Sequence, residues 1–135
     1  MPSSPATLRS TTPVFVVDDV GATIAWYRAT LGFDGRGHPE TRPFEFGIME
    51  RDGVEVMLQR LAGYVRPRMY ALRDGGVWDA YVRVEGVAAL FEAVTRSGAT
   101  IIEPLCDQPY GETHFIIEDL NGYVLVFAEP TRRRA

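Results

Sequence analysis

The sequence predicts an α+β fold of two βαβββ modules, related by a pseudo-twofold repeat and arranged as an open, curved mixed sheet with helices on the outside. Three observations predict it. A helical apolar stripe recurs at a constant offset, a hairpin segment recurs at nearly the same offset, and a chain of 135 residues is long enough for one core but short for two.

Residues 13–17, Pro13-Val14-Phe15-Val16-Val17, form a short β-branched and aromatic run that reads as a strand. Asp18-Asp19 then leads into a helix over residues 20–31, whose Val20, Ile24, Tyr27 and Leu31 share one face and whose stop is Gly32. The same signature returns in the second half. Tyr81-Val82-Arg83-Val84 reads as a strand, and Val87, Phe91 and Val94 repeat the stripe before Gly98. Val87 minus Val20, Phe91 minus Ile24 and Val94 minus Tyr27 all give 67.

The hairpins agree with this repeat. Residues 46–58 turn at Asp52-Gly53 and residues 115–127 at Asn121-Gly122, dipeptides whose tolerance of positive φ suits a tight hairpin turn. Here 122 minus 53 gives 69, a drift that one loop indel explains. The segments 38–46 and 101–111 carry no clear pattern. The expected organisation is a tail over 1–12, modules over 13–62 and 78–130, a link over 63–77 and a basic tail over 131–135.

Strand alternation assigns faces. Val54, Val56 and Leu58 are uniformly apolar and belong under the helices, as do Ala80, Val82 and Val84, and Tyr123, Leu125 and Phe127 form one face of the last strand. Opposite lie Glu55, Met57 and Gln59, with Asp79, Tyr81 and Arg83, and with Thr12, Val14 and Val16. A twisted sheet would gather these residues into a trough, whose mix of aromatic, sulfur and carboxylate groups suits a small molecule. A solvated sheet face, or one covered by a partner chain, shows the same alternation, and both readings stay open.

A formal charge of −4 gives no footprint for nucleic acid. The one basic cluster, Arg132 to Arg134, reads as a solvated terminus. Residues 1–12 have no apolar run, so neither a signal peptide nor a membrane anchor is expected there, and the single Cys106 allows no intramolecular disulfide. A reducing, cytoplasmic setting fits, with Cys106 expected as a buried, inert thiol. Arg66, Arg68 and Arg73 fall in the link and read as a rim or dimer contact. Of the two histidines, His38 is expected in a solvent-facing loop, whereas His114 stands on the penultimate strand with its face unassigned.

The opening run from Pro13 to Val20, with Trp26-Tyr27 and Leu31-Gly32-Phe33, resembles the glyoxalase, bleomycin-resistance and extradiol-dioxygenase superfamily. The closing run of Gln108-Pro109-Tyr110-Gly111, Glu118-Asp119-Leu120-Asn121-Gly122 and Phe127-Ala128-Glu129 resembles its bleomycin-binding branch. The resemblance implies a barrel-like cup, commonly completed by homodimerisation. It also implies a divalent metal held by His and Glu on the first and last strands of each module. Those positions project onto Thr12, Met57, Asp79 and Val126, and only Asp79 ligates metals well, so neither a metal nor another cofactor is expected.

Three functions follow as expectations. The first is a non-catalytic binder that sequesters a drug or metabolite, with Trp78, Tyr81 and Tyr110 stacking on a planar or cationic ligand, Asp79 or Glu55 pairing with its charge, and Met57 and His114 nearby. The second is a lyase, isomerase or dioxygenase of the same superfamily; a metal-free version would use Asp79 as general base and Tyr81 or His114 as acid. The third is a structural or regulatory dimer with the trough filled by a partner.

Overall fold

The computed structural model describes residues 4–131, so residues 1–3 and most of the basic tail lie outside it. The first module runs β1 (Val14–Val17), α1 (Val20–Leu31), β2 (Asp34–His38), β3 (Phe46–Arg51) and β4 (Val54–Arg60). The second runs β5 (Ala80–Arg83), α2 (Val87–Arg96), β6 (Thr100–Asp107), β7 (Glu112–Glu118) and β8 (Val124–Pro130). Each module is thus a complete βαβββ unit. Their sheets have corresponding orders, β1-β4-β3-β2 and β5-β8-β7-β6, with the first strand of each parallel to the last. The patternless segment 101–111 supplies most of β6, whereas 38–46 is mainly the loop between β2 and β3, and His38 is the exposed last residue of β2 rather than part of that loop.

Helix α1 begins and ends at the signals in its sequence. The Asp19 carboxylate accepts from the Ala22 N–H at 2.9 Å, and Gly32 takes the left-handed conformation that closes the helix. All four residues of its stripe are buried. Helix α2 is capped differently. Gly86 occupies the position corresponding to Asp19 and has no side chain to offer, so the Glu129 carboxylate on β8 accepts from Val87 N–H at 2.9 Å. The first hairpin turns as expected, with φ of 53° at Asp52 and 82° at Gly53. The second does not turn at a two-residue Asn121-Gly122 corner. Its loop runs from Asp119 to Tyr123, closed by Asp119 N–H donating to the Tyr123 carbonyl at 2.8 Å.

One large core joins the two modules, beside a smaller cluster of Ile116, Val124 and Val126 on the other face of the second sheet. Phe15, Val17, Val56 and Leu58 from the first sheet, Phe115, Ile117, Leu125 and Phe127 from the second, and the apolar faces of both helices belong to one cluster. Across the module boundary the rings of Phe15 and Tyr123 stack at 4.1 Å, and the Tyr123 hydroxyl donates to the Val16 carbonyl at 2.7 Å. The inner faces of both sheets therefore back onto the same core, which turns their other faces outward.

Helix α1 lies close on its sheet because β2 and β3 present glycines to it. A β-carbon built at Gly47 would stand 2.8 Å from a Val20 methyl, and one at Gly35 would stand 2.8 Å from an Ile24 methyl. Gly47→Ala is expected to destabilise the protein by about 2 kcal/mol through overpacking, read from urea unfolding. A change under about 0.5 kcal/mol, the range of ordinary surface substitutions, would show that the helix moves freely aside.

Candidate functional site

The outer face of the second sheet carries the chemistry. Tyr81 comes from β5, and Glu112 and His114 come from alternate positions of β7, opposite the core-facing Phe115 and Ile117. Glu103 reaches the same face through an irregularity. The register of β6 against β7 shifts between Ile101 and Glu103, which leaves Glu103 opposite Ile116. Trp78 precedes β5, and Tyr110 lies in the turn between β6 and β7.

Trp78, Tyr81, Arg83, Tyr110 and Glu112 line a shallow hollow. The Trp78 and Tyr81 ring centroids are 5.7 Å apart, and Trp78 meets His114 edge-on at 6.3 Å. Trp78 is 40% and Tyr110 55% exposed, so both offer ring surface to a ligand. Beneath them His114 is only 2% exposed. Its Nδ1 lies 3.1 Å from the Tyr110 hydroxyl and its Nε2 lies 3.1 Å from the Glu103 carboxylate. Tyr81 donates to Glu112 at 3.0 Å, and Arg83 pairs with the same carboxylate oxygen at 2.5 Å. Burial, followed by the bond to Glu112, pushes the Tyr81 hydroxyl up to about 12. Burial, with the charges of Glu103 and Glu112, also raises that of Tyr110. Both phenols therefore stay protonated at neutral pH.

Other expected site residues lie elsewhere. Asp79 does not face the hollow as a free carboxylate. One oxygen pairs with Arg66 and the other accepts the Val124 N–H at 2.8 Å, so it is unsuited to act as a base. Met57 sits on the first sheet between Val14 and Ile48, and Glu55 stands exposed opposite Glu50 beside the hairpin turn. Among the described residues no hydrogen bond, ring contact or shared hollow joins either to the aromatic group. Of the expected trough residues, Val16 of the first module meets Leu120 and Asn121 of the second in a small hollow, separate from the aromatic group.

The link also departs from expectation. Arg66 and Arg68 do not form a free rim: they bind the chain's own Asp79 and Glu118, and Arg73 donates to the Gly76 carbonyl at 3.1 Å. Tyr70, in a 3-10 turn over Tyr70–Leu72, packs on Ile116 and Val126, so the link straps the outer face of the second sheet. Cys106 is exposed, because β6 is an edge strand and Cys106 lies outside the core.

The four positions implied for a metal do not fit one. Thr12, Met57 and Val126 are poor ligands, and the Arg66 guanidinium already neutralises Asp79. Among the described residues no three His, Cys, Asp or Glu side chains are grouped so as to hold an ion. Another hollow, about 600 Å³, lies at the seam between the modules, walled by residues such as Leu31, Val54, Val84 and Leu90. Two of the charged groups on its wall are paired with each other, Arg51 with Asp52 at 3.3 Å, and a third, Arg83, pairs with Glu112. Its wall also carries Glu85 but no histidine, tyrosine or tryptophan, so the smaller aromatic hollow is the candidate site.

Sequence reasoning missed Glu103 and Glu112. Glu112 follows the turn glycine Gly111 and could have been assigned by parity from Phe115. Glu103 could not, because the shifted register of β6 breaks parity.

The structure thus defines a twofold-repeated α+β protein with an aromatic, carboxylate-flanked hollow on one outer sheet face. Residues 9–127 match the sequence profile of the Glyoxalase/Bleomycin resistance protein/Dioxygenase superfamily, and the chain belongs to that superfamily. Several solved structures share the fold. TioX from Micromonospora sp. ML1 is 23% identical, with a TM-score of 0.73 over 91% of this chain and 99% of that one. A glyoxalase-related enzyme from Clostridium phytofermentans is 18% identical, with a TM-score of 0.74 over 96% and 100%. The bleomycin-binding protein of Streptomyces verticillus, solved with copper(II)-bleomycin, is 21% identical, with a TM-score of 0.65 over 90% and 96%. Comparison with curated protein sequences gives no match. No described helix is long and apolar enough to cross a membrane.

Proposed function

We propose that this chain is a binding protein that sequesters a planar, cationic small molecule such as a drug or metabolite, without a metal or other cofactor. The observation that carries this reading is the open platform of Trp78, Tyr81 and Tyr110 flanked by the Glu112 carboxylate. Aromatic faces attract cations through their quadrupole, and a carboxylate adds a charge-assisted hydrogen bond. Of the carboxylate and phenol first in line as acid and base, Asp79 is tied to Arg66 and Val124, and Tyr81 gives its proton to Glu112. That commitment favours binding over proton transfer. The likeness to a bleomycin-binding protein points the same way, towards a role in antibiotic resistance.

A homodimer in the cytoplasm completes the proposal. The outer face of the first sheet leaves Val14 48% exposed beside Met57 and Ile48, an apolar stripe that a second copy would cover while closing the cup. Sedimentation equilibrium tests the assembly, with a dimer expected and a monomer at high concentration counting against it. The lone exposed Cys106 suits a reducing compartment.

Calorimetric titration with metal-free and copper(II)-loaded bleomycin tests the ligand class. Binding is expected, and Trp78→Ala should weaken it about 30-fold, the effect of removing an aromatic anchor worth about 2 kcal/mol. No heat at concentrations on the order of 100 μM would remove cationic glycopeptides from the candidates.

A further inference from the structure

The hollow contains two hydroxyl groups, and the hydrogen bonds behind them decide which way each can serve a ligand. Tyr81 gives its proton to Glu112. For Tyr110 the direction depends on His114, whose two ring nitrogens are both engaged, at 3.1 Å to Tyr110 and 3.1 Å to Glu103. A neutral imidazole carries one N–H and one lone pair. If the lone pair of Nε2 faced Glu103, a buried acceptor would be pressed against an anion with no proton between them. The other tautomer satisfies both contacts: Nε2–H donates to Glu103, and Nδ1 accepts the proton of Tyr110. Gln108 helps to hold the Glu103 carboxylate, donating from Nε2 at 3.2 Å.

Both phenol protons are then committed inward, and both oxygens meet a ligand with lone pairs alone. Glu112 adds acceptor capacity, because its two close partners share one oxygen, Oε1. The ring face of Trp78 adds negative quadrupole, whereas one face of Tyr81 is already met by the Arg83 guanidinium at 5.4 Å. Donors on the hollow wall come from Arg83, one of whose nitrogens is held by Glu112, and from the indole N–H of Trp78.

We infer that the Glu103–His114 pair fixes the Tyr110 hydroxyl as an acceptor towards this hollow, so that it selects a planar aromatic molecule bearing N–H donors, such as a protonated aminoheterocycle. The inference rests on the binding function proposed above and names the ligand chemistry of the same site. His114 is a positioning residue in it, acting through Tyr110.

The tautomer can be read directly. The chain has two histidines, so long-range ¹H–¹⁵N correlation spectra of the imidazoles contain two patterns, assigned with a His38→Gln variant. The neutral His114 ring is expected as the Nε2–H tautomer. An Nδ1–H tautomer or a doubly protonated ring would overturn the inference, since either turns the Tyr110 proton towards the ligand.

Binding supplies the second measurement, with three probes of one shape: protonated 4-aminoquinoline, 1-methylquinolinium and quinoline-4-carboxylate. The first carries positive charge and donors, the second positive charge alone, the third a negative charge and no donor. The expected affinity order is that order, with about tenfold between the first two, the worth of a charge-assisted hydrogen bond. Tyr110→Phe, at an exposed position where folding is not at stake, should lower 4-aminoquinoline affinity about tenfold and leave 1-methylquinolinium within about twofold. Equal affinities for the two cations, or preference for the carboxylate, would overturn the acceptor reading of Tyr110 while leaving a binding function in place. Failure of all three probes to bind at millimolar concentration would instead overturn the function on which it rests.

Discussion

Asp119→Ala is expected to lower the free energy of unfolding by about 4 kcal/mol, a large share of the 5–15 kcal/mol typical of a domain. Asp119 is 5% exposed in the β7–β8 loop. It accepts the Tyr27 hydroxyl of α1 at 2.6 Å, the Asn121 N–H at 2.8 Å and the Tyr123 N–H at 2.9 Å. Alanine leaves three donors without an acceptor, and each buried orphan costs about 1–3 kcal/mol. Tyr27→Phe removes one bond without stranding a backbone group and should cost about 1–2 kcal/mol. Urea unfolding measures both, and a loss under about 1 kcal/mol for Asp119→Ala would mean that water or a shifted loop satisfies the orphans.

The pH dependence has a definite sign. Burial raises the Asp119 carboxyl above its ordinary range, against the lowering by its three hydrogen bonds. The folded state thus holds the proton more tightly than the unfolded one. This contribution to stability is fully present below the unfolded value and is lost as pH rises through the folded value. The stability difference between the parent and Asp119→Asn should therefore grow as pH falls from 7 to 4.

Arg66→Met should cost about 3 kcal/mol, because it strands the Asp79 carboxylate in a site where the two side chains are only 13% and 16% exposed. The Arg66 guanidinium also lies 4.5 Å over the Tyr123 ring, a contact that the substitution removes. Combining it with Asp79→Asn should restore most of the loss, since no uncompensated charge remains. Equal destabilisation of the single and double variants would mean that the link contributes packing alone. Because Arg66 fastens the link near its start, this variant should also expose the Tyr70 side chain, seen as faster amide exchange over residues 66–72.

How much was legible follows from the range of the forces involved. Helix α1 could be bounded residue by residue because Asp19 and Gly32 act within one turn of it. The faces of β4, β5 and β8 followed from alternation, which holds wherever a ladder is regular. The aromatic side of the site was accessible for the same reason, through Tyr81. Glu103 was not, because the irregular register of β6 removes the parity on which such a reading depends. Asp79 was assigned the correct face but the wrong partner, since nothing local announces that Arg66, 13 positions earlier, returns to it. Asp119 and Tyr27, 92 positions apart, are likewise joined only by the folded core.

The broken register of β6 has a second effect, on association between molecules. This strand lies at the sheet edge and carries Ile101 and Ile102, a pair that a smooth ladder would offer to any passing extended chain. Its two shifts in pairing and Pro104, which has no amide proton to donate, interrupt that template. The same kink that delivers a carboxylate to His114 thus also guards the molecule against edge-to-edge aggregation.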